Sequence, residues 1–200
     1  MGFCQTVANI YRLRVPFERI YTSVFLIRTE RGPVLVDCAT TAEDVDGYIL
    51  PALQELGYGL SDVAALILTH RHSDHAGGRD RLLQHVESLA VVTEARPLWD
   101  GISTYPLAGH TDDAIGVLDE RTGTLLSGDG LQGAGVDRYR CLVKYPQAYL
   151  ETLSRLERDE RIENILFSHA YEPWNVDLVL GRESVLACLQ TCREYIGEKK

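Results

Sequence analysis

The stretch Thr69-His70-Arg71-His72-Ser73-Asp74-His75 puts four metal-ligating side chains within six positions, directly after an apolar run and just before Ala76-Gly77-Gly78. In a chain of this composition the pattern H-x-H-x-D-H arises by chance only about four times in ten thousand. Imidazole and carboxylate together suit a divalent cation such as zinc. In extended backbone His70 and His72 point the same way, two residues apart, and a turn after them can aim Asp74 and His75 at a neighbouring point. The chemistry on offer is metal coordination and, through a polarised water, hydrolysis.

Two of the three remaining histidines fall where a strand meets a loop, in Gly109-His110-Thr111 and Ser168-His169-Ala170. Asp129 follows the apolar run Thr124-Leu125-Leu126 within Ser127-Gly128-Asp129-Gly130, and Asp37 closes Val34-Leu35-Val36-Asp37. Loops at strand ends, carried by a rigid sheet, are where sites are built. One such histidine alone reads as a satisfied surface residue; the set reads as ligands. His85 lies in a polar helical pattern and reads as solvated.

The elements that must position these groups alternate between periods. Short β-rich runs cover Asn9 to Val15, Tyr21 to Arg28 and Pro33 to Asp37. A helix follows, with Thr41 as N-cap, Asp44 at its third position, an apolar stripe of Val45, Ile49, Leu53 and Leu56, a kink or break at Pro51 and an end at Gly57. Val63 to Thr69 reads as a buried strand leading into a His-rich loop, Arg79 to Glu87 as a short helix and Leu89 to Thr93 as a strand. Ala114 to Asp119 and Thr124 to Ser127 read as a hairpin. Gln147 to Arg158 reads as a helix, Asn164 to Phe167 as a last strand, and Val176 to Ile196 as a long closing helix interrupted near Gly181. Strands outnumber helices and interleave with them, which suits an α/β sandwich with helices on the sheet faces. No linker or repeat divides the chain, so a single domain over residues 1–200 is expected.

Taken in order, Asp37, the H-x-H-x-D-H motif, Gly109-His110-Thr111, Gly128-Asp129 and His169 resemble the metallo-β-lactamase-fold hydrolases, in particular the binuclear branch typified by glyoxalase II. The resemblance implies an α/β fold, an αββα four-layer sandwich of two mixed sheets covered by helices. It implies one metal on His70, His72 and His110, a second on Asp74, His75 and His169, and Asp129 bridging both. Two divalent metal ions are the implied cofactors, Zn²⁺ foremost, with Fe or Mn as alternatives. The implied activity is hydrolysis of a small ester, thioester or lactone by a metal-bridging hydroxide. Asp74 is a candidate to orient that hydroxide, Asp37 and Thr69 to fix imidazole orientation, and Tyr145 and Tyr171 to protonate the leaving group.

Charge and length narrow the class. Twenty basic against 29 acidic residues give a formal charge of -9, the wrong sign for a protein that binds a phosphate backbone. Two divalent cations would bring it to -5. The longest purely apolar run, Val63 to Leu68, falls far short of the ~20 residues of a membrane span, and Met1 to Thr6 carries no secretory pattern. Five cysteines without a C-x-x-C pair read as reduced thiols of a cytoplasmic protein; Cys188 and Cys192, four apart, read as core-facing. Only 40 positions separate Asp129 from His169, too few for the cap domain of the nucleases that share this fold. Asp129 also stands where the commonest β-lactamases carry Cys, and 200 residues leave no room for the flavodoxin-like domain of the di-iron relatives, which a separate partner chain could supply.

The glyoxalase II resemblance has two departures. The tail offers only Arg182, Arg193, Lys199 and Lys200 to grip glutathione, and Asp112-Asp113 follow Gly109-His110-Thr111 where the family has Pro-Gly. Those two carboxylates disfavour an anionic substrate unless they face solvent or form a turn. Arg138, Tyr139, Arg140 and Lys144 are the candidate substrate-binding residues. The expected partner is a small molecule, with neither nucleic acid nor membrane, and a homodimer is left open. Two rival readings stand beside hydrolysis: an iron-dependent oxidoreductase resembling persulfide dioxygenases, and a non-catalytic metal-binding protein.

Overall fold

The structure, a computed structural model, describes residues 2–133, 143–173 and 175–197. It divides into two compact units, Met1–Thr93 and Glu94–Lys200. In the first unit β1 (Cys4–Val7), β2 (Ile10–Phe17), β3 (Ile20–Ile27), β4 (Val34–Val36), β5 (Ala65–Ile67) and β6 (Val91–Val92) lie side by side in chain order. The pairs from β1 to β4 are antiparallel, and β4, β5 and β6 run parallel. Every residue of β4 and β5 is buried, as the continuous apolar runs of parallel strands require.

Helical segments are threaded between these strands, with α4 (Arg79–His85) between β5 and β6. Thr41 caps α1 (Ala42–Asp44) by accepting from the Asp44 N–H, and Asp44 accepts from the Thr41 N–H in return. The chain then runs through a π-helical stretch, Val45–Ile49, into α2 (Leu50–Glu55) with Pro51 in its first turn. Proline has no N–H to continue the α-helical ladder and its ring crowds the preceding turn. The wide turn just ahead of Pro51 is the local answer to that conflict. Ile49, Leu53, Leu26, Leu35, Leu66 and Leu82 meet in the core of this unit. Each buried side chain of that size contributes about 1.5–3 kcal/mol.

The second unit is a five-stranded sheet of β7 (Ile102–Pro106), β8 (Ile115–Asp119), β9 (Thr124–Leu126), β10 (Asn164–Leu166) and β11 (Leu178–Leu180), in the order β11-β10-β9-β8-β7. Only β9 and β10 run parallel. Helix α5 (Pro146–Arg158) buries Tyr149, Leu153 and Leu156, and α6 (Arg182–Gly197) buries Val185, Cys188, Leu189 and Cys192 at helical spacing. Both sheets are mixed, as expected.

Three local expectations need correction. Val176 to Ile196 is not one helix: Leu178–Leu180 pairs antiparallel with Asn164–Leu166, the chain turns at Gly181, and the helix starts at Arg182. A short apolar run carries no periodicity that separates a strand from a helix turn. Strands β1 and β7 escaped the sequence reading, because neither shows a clean alternation of apolar and polar residues. The His-rich segment is not all loop, since Ser73–Ala76 closes one helical turn, α3.

Candidate metal centre

In the first unit the register of the parallel strands decides which residues meet. Val36 stands opposite Ile67, so Asp37 leaves β4 at the end where Thr69 and His70 leave β5. Asp37 is fully buried and held in the left-handed region at φ 62°, uncommon for a residue with a side chain. Its carboxylate accepts from the Thr69 N–H at 2.8 Å and the Thr69 hydroxyl at 2.9 Å, and lies 2.7 Å from His75 Nδ1. A carboxylate only accepts, so His75 carries its proton on Nδ1 and keeps the Nε2 lone pair for a metal. The Thr69 hydroxyl gives its proton to Asp37 and can only accept from His70 Nδ1, 3.1 Å away. The same tautomer is thereby imposed on His70.

Helix α3 brings the other donors close. The His75 ring centroid lies 4.2 Å and the His72 ring 4.7 Å from that of His70. Asp74 Oδ2 stands 3.4 Å from His75 Nε2. The turn docks through glycine: a Cβ on Gly77 would fall 1.9 Å from the Thr40 carbonyl oxygen, and one on Gly78 would fall 2.2 Å from that of Cys38. Cys38 donates its thiol to the His75 carbonyl at 3.3 Å. Burial first, and the Asp37 carboxylate second, push the Cys38 thiol well up, which keeps it protonated as the donor to that carbonyl.

The second unit repeats the device. Leu126 stands opposite Leu166 in the parallel pair β9–β10, and Asp129 and His169 each lie three residues further on, at one end of the sheet. His110 comes from the connection between β7 and β8. Gly109 before it sits at φ 151°, its carbonyl accepts the Lys144 and Tyr145 N–H groups at 2.9 Å each, and a Cβ there would meet the Tyr149 ring at 2.4 Å. Asp129 offers one oxygen to each imidazole: Oδ1 is 3.2 Å from His169 Nε2 and Oδ2 is 3.6 Å from His110 Nε2.

These spacings test whether the residues fit a metal. Two donors about 2.1 Å from one tetrahedral cation stand roughly 3.4 Å apart, close to the separations of the Asp74–His75, Asp129–His169 and Asp129–His110 pairs. A carboxylate with one imidazole at each oxygen has the form of a bridging ligand. Among the described residues, the side chains that can hold a divalent cation are His70, His72, Asp74 and His75 in the first unit and His110, Asp129 and His169 in the second.

The other expected site residues separate. Tyr171 is buried and lines a small pocket with Asp129, Leu131, Gln132 and His169, its ring centroid 6.2 Å from that of His169. Tyr145 is 44% exposed at the start of α5 and is absent from that lining. The side chain of Lys144 is exposed, and Arg138, Tyr139 and Arg140 lie outside the described residues. Asp112 and Asp113 are exposed. His85 is at the surface, 3.3 Å from Asp46. Arg182 and Arg193 are engaged by carbonyls at and just beyond the end of α5 and by Glu157. Leu131 and Gln132 were missed; their only sequence signal is proximity to Asp129.

A family model described as metallo-beta-lactamase superfamily matches residues 18–92. A hydroxyacylglutathione hydrolase of Vibrio campbellii is 28% identical over 150 residues, covering 66% of this chain and 58% of that protein. One of Legionella pneumophila is 26% identical over 156 residues, covering 64% and 60%. The chain thus spans less than two thirds of the length of these curated relatives. Among solved structures, the DIM-1 metallo-beta-lactamase superposes with a TM-score of 0.75 at 14% identity, covering 99% of this chain and 97% of its own.

Proposed function

From a chain that carries the metallo-β-lactamase fold and has glyoxalase II-like relatives, we infer a metal-dependent hydrolase of a small ester, thioester or lactone. His70, His72 and His110 would hold one divalent cation and Asp74, His75 and His169 a second, with Asp129 shared between them. When bound, such a pair supplies a water acidic enough to attack near neutral pH and a Lewis acid for the carbonyl. The chain's own residues supply the rest. Asp37 and Thr69 hold the donor nitrogens of His75 and His70 in one tautomer, so no proton must move before ligation. The Asp74 carboxylate is the candidate to accept a hydrogen bond from that water and orient it. Tyr171, which lines the same pocket as His169 and Asp129, is the candidate to protonate the leaving oxygen or sulfur.

The observation that carries this reading is the Asp37–Thr69 network, because a solvated histidine cluster has no need of a buried acceptor that selects its tautomer. The relatives named hydroxyacylglutathione hydrolase support a thioester among the substrate classes. Elemental analysis of the chain purified without added metal, followed by a panel of acyl thioesters, esters, lactones and phosphodiesters, tests it. Two Zn per chain with turnover of an acyl compound is expected. One Fe per chain and oxygen uptake with a persulfide would replace it by the oxidoreductase reading. His72→Ala and Asp129→Ala should each abolish turnover, and His85→Ala should not.

A further inference from the structure

Cys188 and Cys192 stand four residues apart on one face of α6, 6% and 0% exposed, within the core of the second unit. Neither takes part in the hydrolytic reading. Both sulfurs lie 3.6 Å from the same oxygen, the Gln132 carbonyl, and they are close enough to hydrogen-bond to each other. Tyr149 on α5 adds its hydroxyl to Cys192. Burial first of all pushes that hydroxyl well above its ordinary range, so it keeps its proton and donates. The Cys188 thiol foremost, helped by Tyr149 and opposed by burial, pulls the Cys192 thiol down to about 7. The pair can thus give up its first proton near neutral pH.

Two thiols so placed can be joined covalently or can share a cation, and helix geometry decides between the two. Cβ atoms four residues apart on a helix stand about 5–6 Å from each other, whereas a disulfide needs about 3.5–4.5 Å. Two sulfurs about 2.3 Å from one cation stand up to ~4.6 Å apart, a span these side chains reach without bending the helix. Thiolate sulfur selects soft cations, Cu(I) among them, while imidazole and carboxylate suit harder divalent ones. We propose that Cys188 and Cys192 form a binding site for a soft monovalent cation, Cu(I). On binding, both S–H bonds break, two protons pass to solvent and two Cu–S bonds form, with no change of oxidation state. The cation offsets one of the two thiolate charges, which is what lets the second proton leave a buried site. The site stands whether or not the chain is a hydrolase.

The test titrates Cu(I) into the reduced full chain under anaerobic conditions, after loading with Zn²⁺ to engage the imidazole donors, with bathocuproine disulfonate as the competing chelator. The native chain should hold one equivalent of Cu(I) against the chelator with its zinc content unchanged. Cys188→Ser and Cys192→Ser should each lose that equivalent, and Cys4→Ser, which removes an exposed thiol, should keep it. Copper K-edge absorption of the native complex should show sulfur neighbours alone. Surrender of all copper by the native chain, retention of the equivalent in either serine variant, its loss in Cys4→Ser, or nitrogen neighbours at copper overturns the proposal. Where circular dichroism shows that a serine variant does not fold, Cys188→Ala or Cys192→Ala takes its place, and the K-edge spectrum decides without any variant.

Discussion

At the scale of single residues, the centre depends on groups that touch no metal. Asp37 occupies a left-handed backbone position and answers three donors at once, which fixes the proton of His75 on Nδ1. Asp37→Asn keeps the shape but introduces an N–H that can face Nδ1 and favour the wrong tautomer. Metal affinity should fall by roughly 10–100-fold, as read by competition with a chromophoric chelator; native affinity in the variant would remove Asp37 from the site. The donor residues themselves are readable in the sequence, since His and Asp at these spacings are rare by composition. The relay through Thr69 is not, because it depends on a strand register that sets residues 32 apart side by side. Nor does the sequence tell which cations are engaged: Arg182 reads as a free tail charge, yet its guanidinium donates to the Leu156 and Glu157 carbonyls at the end of α5 and to the Ile162 carbonyl beyond it.

At the scale of elements, helix turns and strand ends deliver the donors, and close backbone approach is the condition they must meet. Gly77→Ala would drive a methyl into the Thr40 carbonyl, backbone that cannot swing aside. A cost of roughly 1–3 kcal/mol is expected, measured by urea unfolding, together with weaker metal binding as α3 shifts. A second prediction concerns the end of α5. Asp159 accepts from the Arg161 backbone N–H and guanidinium, and chiefly for that reason its carboxyl titrates below the ordinary carboxylate range. A depressed folded value means that its contribution is present above about pH 3.9 and is lost as pH falls through the folded value. Asp159→Asn should therefore lower the melting temperature at pH 7 slightly, the Arg161 partner being about half exposed, and flatten the acid side of the stability profile; an unaltered acid limb would contradict it. Helices α5 and α6 and the hairpin β8–β9 are readable from apolar periodicity and turn residues. β7 and β11 are not, because five- and three-residue strands take their identity from the partners they pair with.

At the scale of the whole molecule, the fold class follows from the alternation of strands and helices, and the likeness to solved structures over 99% of the chain agrees with it. The acidic balance acquires a physical meaning once the donors are located. Of the formal charge of -9, part sits in carboxylates such as Asp129, whose side chain is only 10% exposed and is flanked by two imidazoles. A buried carboxylate without a cation is costly, because desolvation disfavours its charge. A cation that binds the native chain and not the unfolded one adds RT ln(1 + [M]/Kd), about 4 kcal/mol at a thousandfold excess over Kd. For a chain of this length that corresponds to a melting shift on the order of 10 °C. Exhaustive chelation should lower the melting temperature by that amount and stoichiometric Zn²⁺ should restore it, with the two-cation reading requiring two equivalents per chain. Calorimetric scans of the stripped and reloaded protein give the answer: identical transitions in both would mean that the seven donors hold no tightly bound metal.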